Sequence, residues 1–147
     1  MRVLFVCKSN AERSQIAEAL FNRLSRKSRA SSAGIEVDNE GSAGLPPGRI
    51  ATELMLGWGH DMRKRKRKQL TRRLFDAADI VVVVLSRGEI MKLLPEYAAL
   101  SPKTRFWTDR LMPRSIYASY PPRTYAYHIS VLRSIDRRVR ALVRETG

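Results

Sequence analysis

The sequence predicts an α/β fold, a small doubly wound sheet of about four parallel strands flanked by helices on both faces. Three observations carry the prediction. The run IVVVVL over 80–85 is continuously apolar and β-branched, as a parallel strand covered on both faces must be. A shorter run of the same kind, VLFV over 3–6, gives way within a few residues to helical spacing. Strand-like and helix-like segments then alternate along the chain, the order that a parallel sheet with crossover helices requires. No internal repeat and no linker composition interrupts the pattern, so a single domain over 1–147 is expected.

The strand over 3–6 leads into Cys7 and a loop of small and polar residues. Ile16, Leu20, Phe21 and Leu24 then recur on one face and predict a helix over 14–27. Residues 30–33 fit a second short strand. The segment 34–47 is rich in Gly, Pro, Ser and Asn and reads as loop. Pro46 and Pro47 suit a helix start, and a helix over about 48–56 would bury Ile50, Leu54 and Met55 before Gly57 and Gly59 stop it. The strand over 80–85 belongs at the sheet centre. A helix over 86–94, a short strand over 104–107 and a helix over 124–143 follow, the last with Ile129, Leu132, Ile135, Val139 and Leu142 on one stripe. In such a sheet a site is expected at the carboxyl ends of the strands.

Composition narrows the function classes. The 147 residues are 44% hydrophobic, enough for one core. No apolar stretch approaches the roughly 18 residues of a membrane span, and MRVLFVC is too short for a signal peptide, so a cytoplasmic protein is expected. One cysteine excludes an internal disulfide and a tetrathiolate zinc site, and neither metal nor cofactor is called for. A lone cysteine is more often a buried hydrophobe than a nucleophile, so its surroundings must decide. The net charge of +14, from 28 Lys and Arg against 14 Asp and Glu, attracts anions. Eight of those basic residues fall within 63–73, and the run from Arg63 to Lys68 is unbroken. It reads either as a solvated helix or loop or as a docking site for an acidic partner or polyanion.

Cys7 stands at the carboxyl end of the first strand, and residues 8–13 connect it to the first helix. A loop curled around an oxyanion offers successive backbone N–H groups, and the helix N-terminus adds its dipole and its unpaired first-turn amides. The same field favours a thiolate, the nucleophilic form of cysteine. Lys8, Ser9, Asn10, Ala11, Glu12 and Arg13 form the candidate phosphate-binding set. Arg13 closes the loop from the helix side with a planar two-pronged grip on phosphate oxygens. Ser14 can donate a hydrogen bond to the sulfur, and Asn10 can bond across the loop and hold its turns.

The stretch CKSNAERS, Cys7-x5-Arg13-Ser14, resembles the phosphate loop of the low-molecular-weight protein tyrosine phosphatases and the related thioredoxin-type arsenate reductases. VLFVC before it, RSQIAEAL after it, SAG at 32–34, KQLT at 68–71 preceding FDAADIVVVV, and PEYAALSPKTRFW at 95–107 extend the resemblance over 1 to about 107. The resemblance implies hydrolysis of phosphomonoesters, protein phosphotyrosine or aryl phosphates, through a phosphocysteine intermediate. Cys7 would attack phosphorus, Arg13 and the loop amides would hold the transferring group, and Ser14 and Asn10 would support the thiolate.

Several positions depart from the family pattern. The family has an aspartate, usually followed by proline, before the last helix; no Asp-Pro occurs here. Asp109, the only acidic residue in TDRLMPRSIYASYPPRTY, is the candidate general acid, or else a surface carboxylate paired with Arg110 or Arg105. Glu12 would oppose both thiolate and phosphate, so its side chain is expected to point outward towards a surface basic group. IEVDNEGSAG after SAG lacks the family's substrate-stacking aromatic residue; Tyr117, Tyr120 and Tyr125 are candidates for an aromatic wall or for packing. His60 reads as capping or packing and His128 as a helix-surface residue. Two alternatives to the phosphatase stand: a single-cysteine arsenate reductase served by an external thiol, and a catalytically weak module that binds phosphate or polyanions.

Overall fold

The continuous apolar run at 80–85 is explained by what covers it on either side. The computed structural model describes residues 1–86, 88–89, 101–107 and 125–146. Its elements are β1 (Arg2–Cys7), α1 (Arg13–Leu24), β2 (Arg29–Gly34), α2 (Arg49–Gly57), α3 (Arg72–Ala77), β3 (Ile80–Val83), β4 (Thr104–Phe106) and α4 (Tyr125–Thr146). The four strands pair in parallel in the order β2-β1-β3-β4, so β1 and β3 are the inner strands, as expected for 80–85. Side chains alternate across a strand. Val3, Phe5, Ile80 and Val82 therefore pack with Ile16, Phe21, Met55, Leu132 and Ile135, from α1, α2 and α4. Their neighbours Leu4, Val6, Val81 and Val83 pack on the other face with Leu70 and with Phe75 of α3. Burying each of these large side chains contributes about 1.5–3 kcal/mol.

The boundaries differ from the sequence expectation where short-range chemistry intervenes. α1 starts at Arg13 and ends at Leu24 because Ser25 turns to an extended conformation. In α2, Ala51 and Met55 are buried while Ile50 and Leu54 are only half-buried. α2 ends where Gly59 takes φ +90°. The Gly59 and His60 amides then donate back to the Leu56 and Met55 carbonyls, closing a Schellman turn. His60 thus caps the helix, as expected. α3 was not foreseen: six residues hold too little periodicity to read, and the Thr71 hydroxyl, accepting the Leu74 amide at 3.2 Å, starts the helix. The helix expected over 86–94 falls largely outside the described residues. α4 runs to Thr146, and Ile129 is half-buried rather than part of its fully buried stripe. No described helix is long and apolar enough to cross a membrane.

Strand order positions the site. From β1 the chain passes through α1 to β2 on one side; β3 lies on the other side of β1. The carboxyl ends of β1 and β3 therefore flank a point where the topology switches direction, the crevice in which open α/β sheets bind ligands. Cys7 ends one of these strands and Val84 follows the other.

Candidate active site

Cys7 is buried and lies in register opposite Gly34. The loop beyond it rests on that glycine: a Cβ at position 34 would lie 2.7 Å from the Asn10 amide nitrogen, 2.9 Å from the Lys8 carbonyl oxygen and 2.6 Å from Val37 Cγ2. Any larger residue there would push the loop backbone away. At the loop's far side the Gly48 amide donates to the Ala11 carbonyl at 2.8 Å. The chain then enters α1, whose first-turn amides have no partner within the helix.

Asn10 organises this loop. It has φ +50°, the left-handed conformation that asparagine tolerates best among residues with a side chain. The Lys68 backbone N–H donates to Asn10 Oδ1 at 2.9 Å, and Gln15 Nε2 donates to the same atom at 3.2 Å. A backbone N–H is only a donor, so it fixes the orientation of the amide. Asn10 Nδ2 accordingly donates to Ser14 Oγ at 2.8 Å and to Ser32 Oγ at 3.0 Å. Ser14 Oγ thus accepts from Asn10, and its one hydrogen is available to Cys7 Sγ, 2.9 Å away. Ser32 in turn donates to Glu18 at 2.7 Å, and Arg65 pairs with that carboxylate at 2.8 Å. Asn10→Ala removes the centre of a buried network and leaves the Lys68 N–H without its acceptor. The expected result is a loss of about 2–3 kcal/mol in urea unfolding; a change below about 0.5 kcal/mol would refute the organising role.

Arg13 is held from behind. Its Nη1 donates to the Val84 carbonyl at 3.1 Å and to Glu89 Oε1 at 2.9 Å, and its Nη2 donates to Glu89 Oε2 at 3.3 Å. Among the described residues nothing engages Nε–H and the second Nη2–H, the adjacent pair that forms a fork for an oxyanion. Burial works against the guanidinium charge, but the electrostatic pull of the neighbouring Cys7 and the Glu89 contacts outweigh it and raise the Arg13 pKa. Burial likewise works against the Glu89 charge; the Arg13 hydrogen bond and charge, with the Ser86 contacts, prevail and hold its carboxyl below the usual range. Glu89 also closes a capping box with Ser86: the Ser86 amide donates to Oε1 at 2.9 Å and the Glu89 amide to Ser86 Oγ at 3.2 Å. The spacing Ser-x-x-Glu was present in LSRGE, and sequence reasoning passed over it.

Glu12 departs from its expected outward position. It points towards α4, with Oε1 2.5 Å from His128 Nδ1, and both side chains are largely buried, 21% and 14% exposed. His128 is correspondingly not a surface residue. It lies four positions before Leu132 and seven before Ile135, on the stripe that packs inward, and its ring meets Tyr127 edge-on at 5.1 Å. Lys8 is exposed, and the Ser9 hydroxyl donates to Glu40 Oε1 at 2.9 Å. The Tyr125 hydroxyl engages Glu53 of α2. Asp109, Tyr117 and Tyr120 lie outside the described residues. The basic run is an irregular loop rather than a helix, and its backbone supplies the Lys68 N–H to Asn10, a role its charges had obscured.

The model of the low molecular weight phosphotyrosine protein phosphatase family matches residues 2–108. Among solved structures, Vibrio vulnificus Wzb in complex with benzylphosphonate is 21% identical with a TM-score of 0.78, covering 98% of this chain and 97% of that one. YwlE arginine phosphatase from Geobacillus stearothermophilus is 19% identical with a TM-score of 0.76, covering 99% and 92%. An arsenate reductase from Archaeoglobus fulgidus is 25% identical with a TM-score of 0.66, covering 96% and 98%. A search among curated proteins finds no match. With its parallel sheet in the order β2-β1-β3-β4 and Cys7, Arg13 and Ser14 gathered at the switch point, the chain belongs to the low molecular weight phosphotyrosine protein phosphatase family.

Proposed function

We propose that the chain acts as one domain over 1–147 that hydrolyses phosphomonoesters, protein phosphotyrosine or aryl phosphates, through a phosphocysteine intermediate. The observation that carries this reading is the Ser14 hydroxyl 2.9 Å from the Cys7 sulfur, which accepts from Asn10 and has its one hydrogen available to the sulfur. Cys7 Sγ attacks phosphorus and the bond to the leaving oxygen breaks. Asp109 gives that oxygen its proton. Water then attacks phosphorus as Asp109 takes the proton back, the S–P bond breaks, and the thiolate returns. Amides of residues 8–13 and the open edge of Arg13 hold the three phosphoryl oxygens throughout.

The similarity to an arsenate reductase favours a second reading, in which Cys7 attacks arsenate. With one cysteine in the chain, an external thiol would have to resolve that adduct. Rapid mixing with para-nitrophenyl phosphate and an acid quench tests the first reading. The expected result is a burst of one nitrophenol per protein and an intact mass raised by one phosphoryl group. Asp109→Asn should slow turnover of phenyl phosphate by about 10² or more, and para-nitrophenyl phosphate less, because nitrophenol leaves without a proton. A parent protein with neither burst nor adduct refutes the phosphatase reading.

A further inference from the structure

A turn at 63–64, closed by the Arg65 amide donating to the Met62 carbonyl at 3.1 Å, leads into a segment over 65–69 whose side chains alternate between half-buried and exposed. Arg65, Arg67 and Gln69 are half-buried, and Lys64, Lys66 and Lys68 are exposed. The inward members are all tied down. Arg65 pairs with Glu18 at 2.8 Å, Arg67 Nε donates to the Pro46 carbonyl at 2.9 Å, and Gln69 Nε2 donates to the Ile35 carbonyl at 2.7 Å. The backbone is equally fixed: the Arg67 amide donates to the Leu45 carbonyl at 2.9 Å, its carbonyl accepts the Gly44 amide at 3.0 Å, and the Lys68 carbonyl accepts the Gly34 amide at 2.8 Å. Among the described residues the three lysine side chains have neither an ion pair nor a hydrogen bond.

We propose that Lys64, Lys66 and Lys68 form a docking rail for the extended, acidic flank of a phosphorylated protein substrate; this rests on the phosphatase reading above. Two geometric facts select this partner. Lys66 and Lys68, alternate residues of the segment held against Leu45 and Gly34, repeat at roughly 6.6 Å, the distance at which alternate side chains of another extended chain recur, and Lys64 continues the row from the turn before them. The rail also adjoins the phosphate loop, because the Lys68 N–H bonds the Asn10 side chain inside it. A substrate chain lying along the rail therefore leads towards Cys7. A single-stranded nucleic acid would need aromatic side chains on which its bases could stack, and residues 63–68 contain none. Because the backbone is already held, docking orders only the three lysine side chains on this side of the contact.

The test compares two phosphotyrosine peptides that differ only in one flank, with Glu or with Gln at alternate positions. Phosphate release by the parent should give the Glu peptide a kcat/KM roughly tenfold higher at low ionic strength, the size expected for three exposed ion pairs. The preference should vanish at about 1 M salt, where screening acts within about 3 Å. In the protein carrying both Lys64→Glu and Lys66→Glu the preference should reverse. Because each protein is read as a ratio of two substrates, a general loss of activity cancels. Equal values for the two peptides in the parent, or an unchanged ratio in the double variant, overturns the rail. So does an oligothymidylate that displaces the Glu peptide from Cys7→Ser protein with higher affinity. Should the parent turn over no phosphomonoester, salt-sensitive and lysine-dependent binding of the Glu peptide by the Cys7→Ser protein would still establish the rail while the phosphatase reading fails.

Discussion

Cys7→Ser should abolish turnover of para-nitrophenyl phosphate, by at least about 10⁴-fold, while leaving the protein folded. A serine hydroxyl at neutral pH is un-ionised, and among the described residues its neighbour in the loop is the Ser14 hydroxyl, which is no base. Activity lost through the nucleophile alone commonly falls by several powers of ten, because the remaining electrostatic features have nothing to act on. The fold should tolerate the exchange, since serine keeps a partner for the Ser14 hydroxyl in the same buried position. Unfolding in urea should shift by about 1 kcal/mol or less. Residual turnover within tenfold of the parent would show that another group carries the phosphoryl transfer.

Arg13→Lys should cost roughly 10²–10³ in kcat even though the charge is retained. An ammonium is a point donor and cannot replace the fork formed by Nε–H and Nη2–H. It also lies within the field of Glu89, which would capture it and draw it off the phosphoryl group. Removing that carboxylate as well, in Arg13→Lys with Glu89→Gln, should restore part of the loss if Glu89 misdirects the lysine. In the parent background Glu89→Gln should lower kcat more mildly, about tenfold, by loosening the guanidinium it orients. Its pH dependence follows from the depressed carboxyl of Glu89. A group whose folded-state pKa lies below its unfolded value stabilises the fold above the unfolded pKa and loses that contribution as pH falls through the folded one. The clamp therefore persists into acid below the ordinary carboxylate range, and activity lost near neutral pH must have another source. Stopped-flow assays of the two single variants and the double variant check all of these expectations.

Local chemistry was legible in the sequence, and long-range pairing was not. Cys7, Asn10, Arg13 and Ser14 lie within eight residues, so strand, loop and helix start set their spacing directly. The inner place of the strand over 80–85 likewise followed from an apolar run that needs cover on both faces, whereas the order of the other strands did not show. Glu12 shows the limit. Its charge argued for solvent, but its partner His128 comes from a helix 116 residues away, and no local pattern pairs them. The support of Asn10 by Lys68 was hidden for another reason: a backbone amide leaves no mark in the residue type, and the surrounding positive charge drew attention to the surface. α3 lay below the length at which periodicity exists.

The Glu12–His128 contact also bears on how the molecule comes into being. A ladder of parallel strands with crossovers closes many loops before non-local contacts are gained, which makes such topologies slow to fold. Here the bond that secures the start of α1 waits for α4, and Ser28 waits for Thr146 as well. During synthesis the strand that ends in Cys7 emerges early, yet the histidine that bonds Glu12 emerges after more than a hundred further residues. A nascent chain therefore carries its thiol for most of its elongation before Glu12, the last residue of the loop ahead of Arg13, meets its partner on α4.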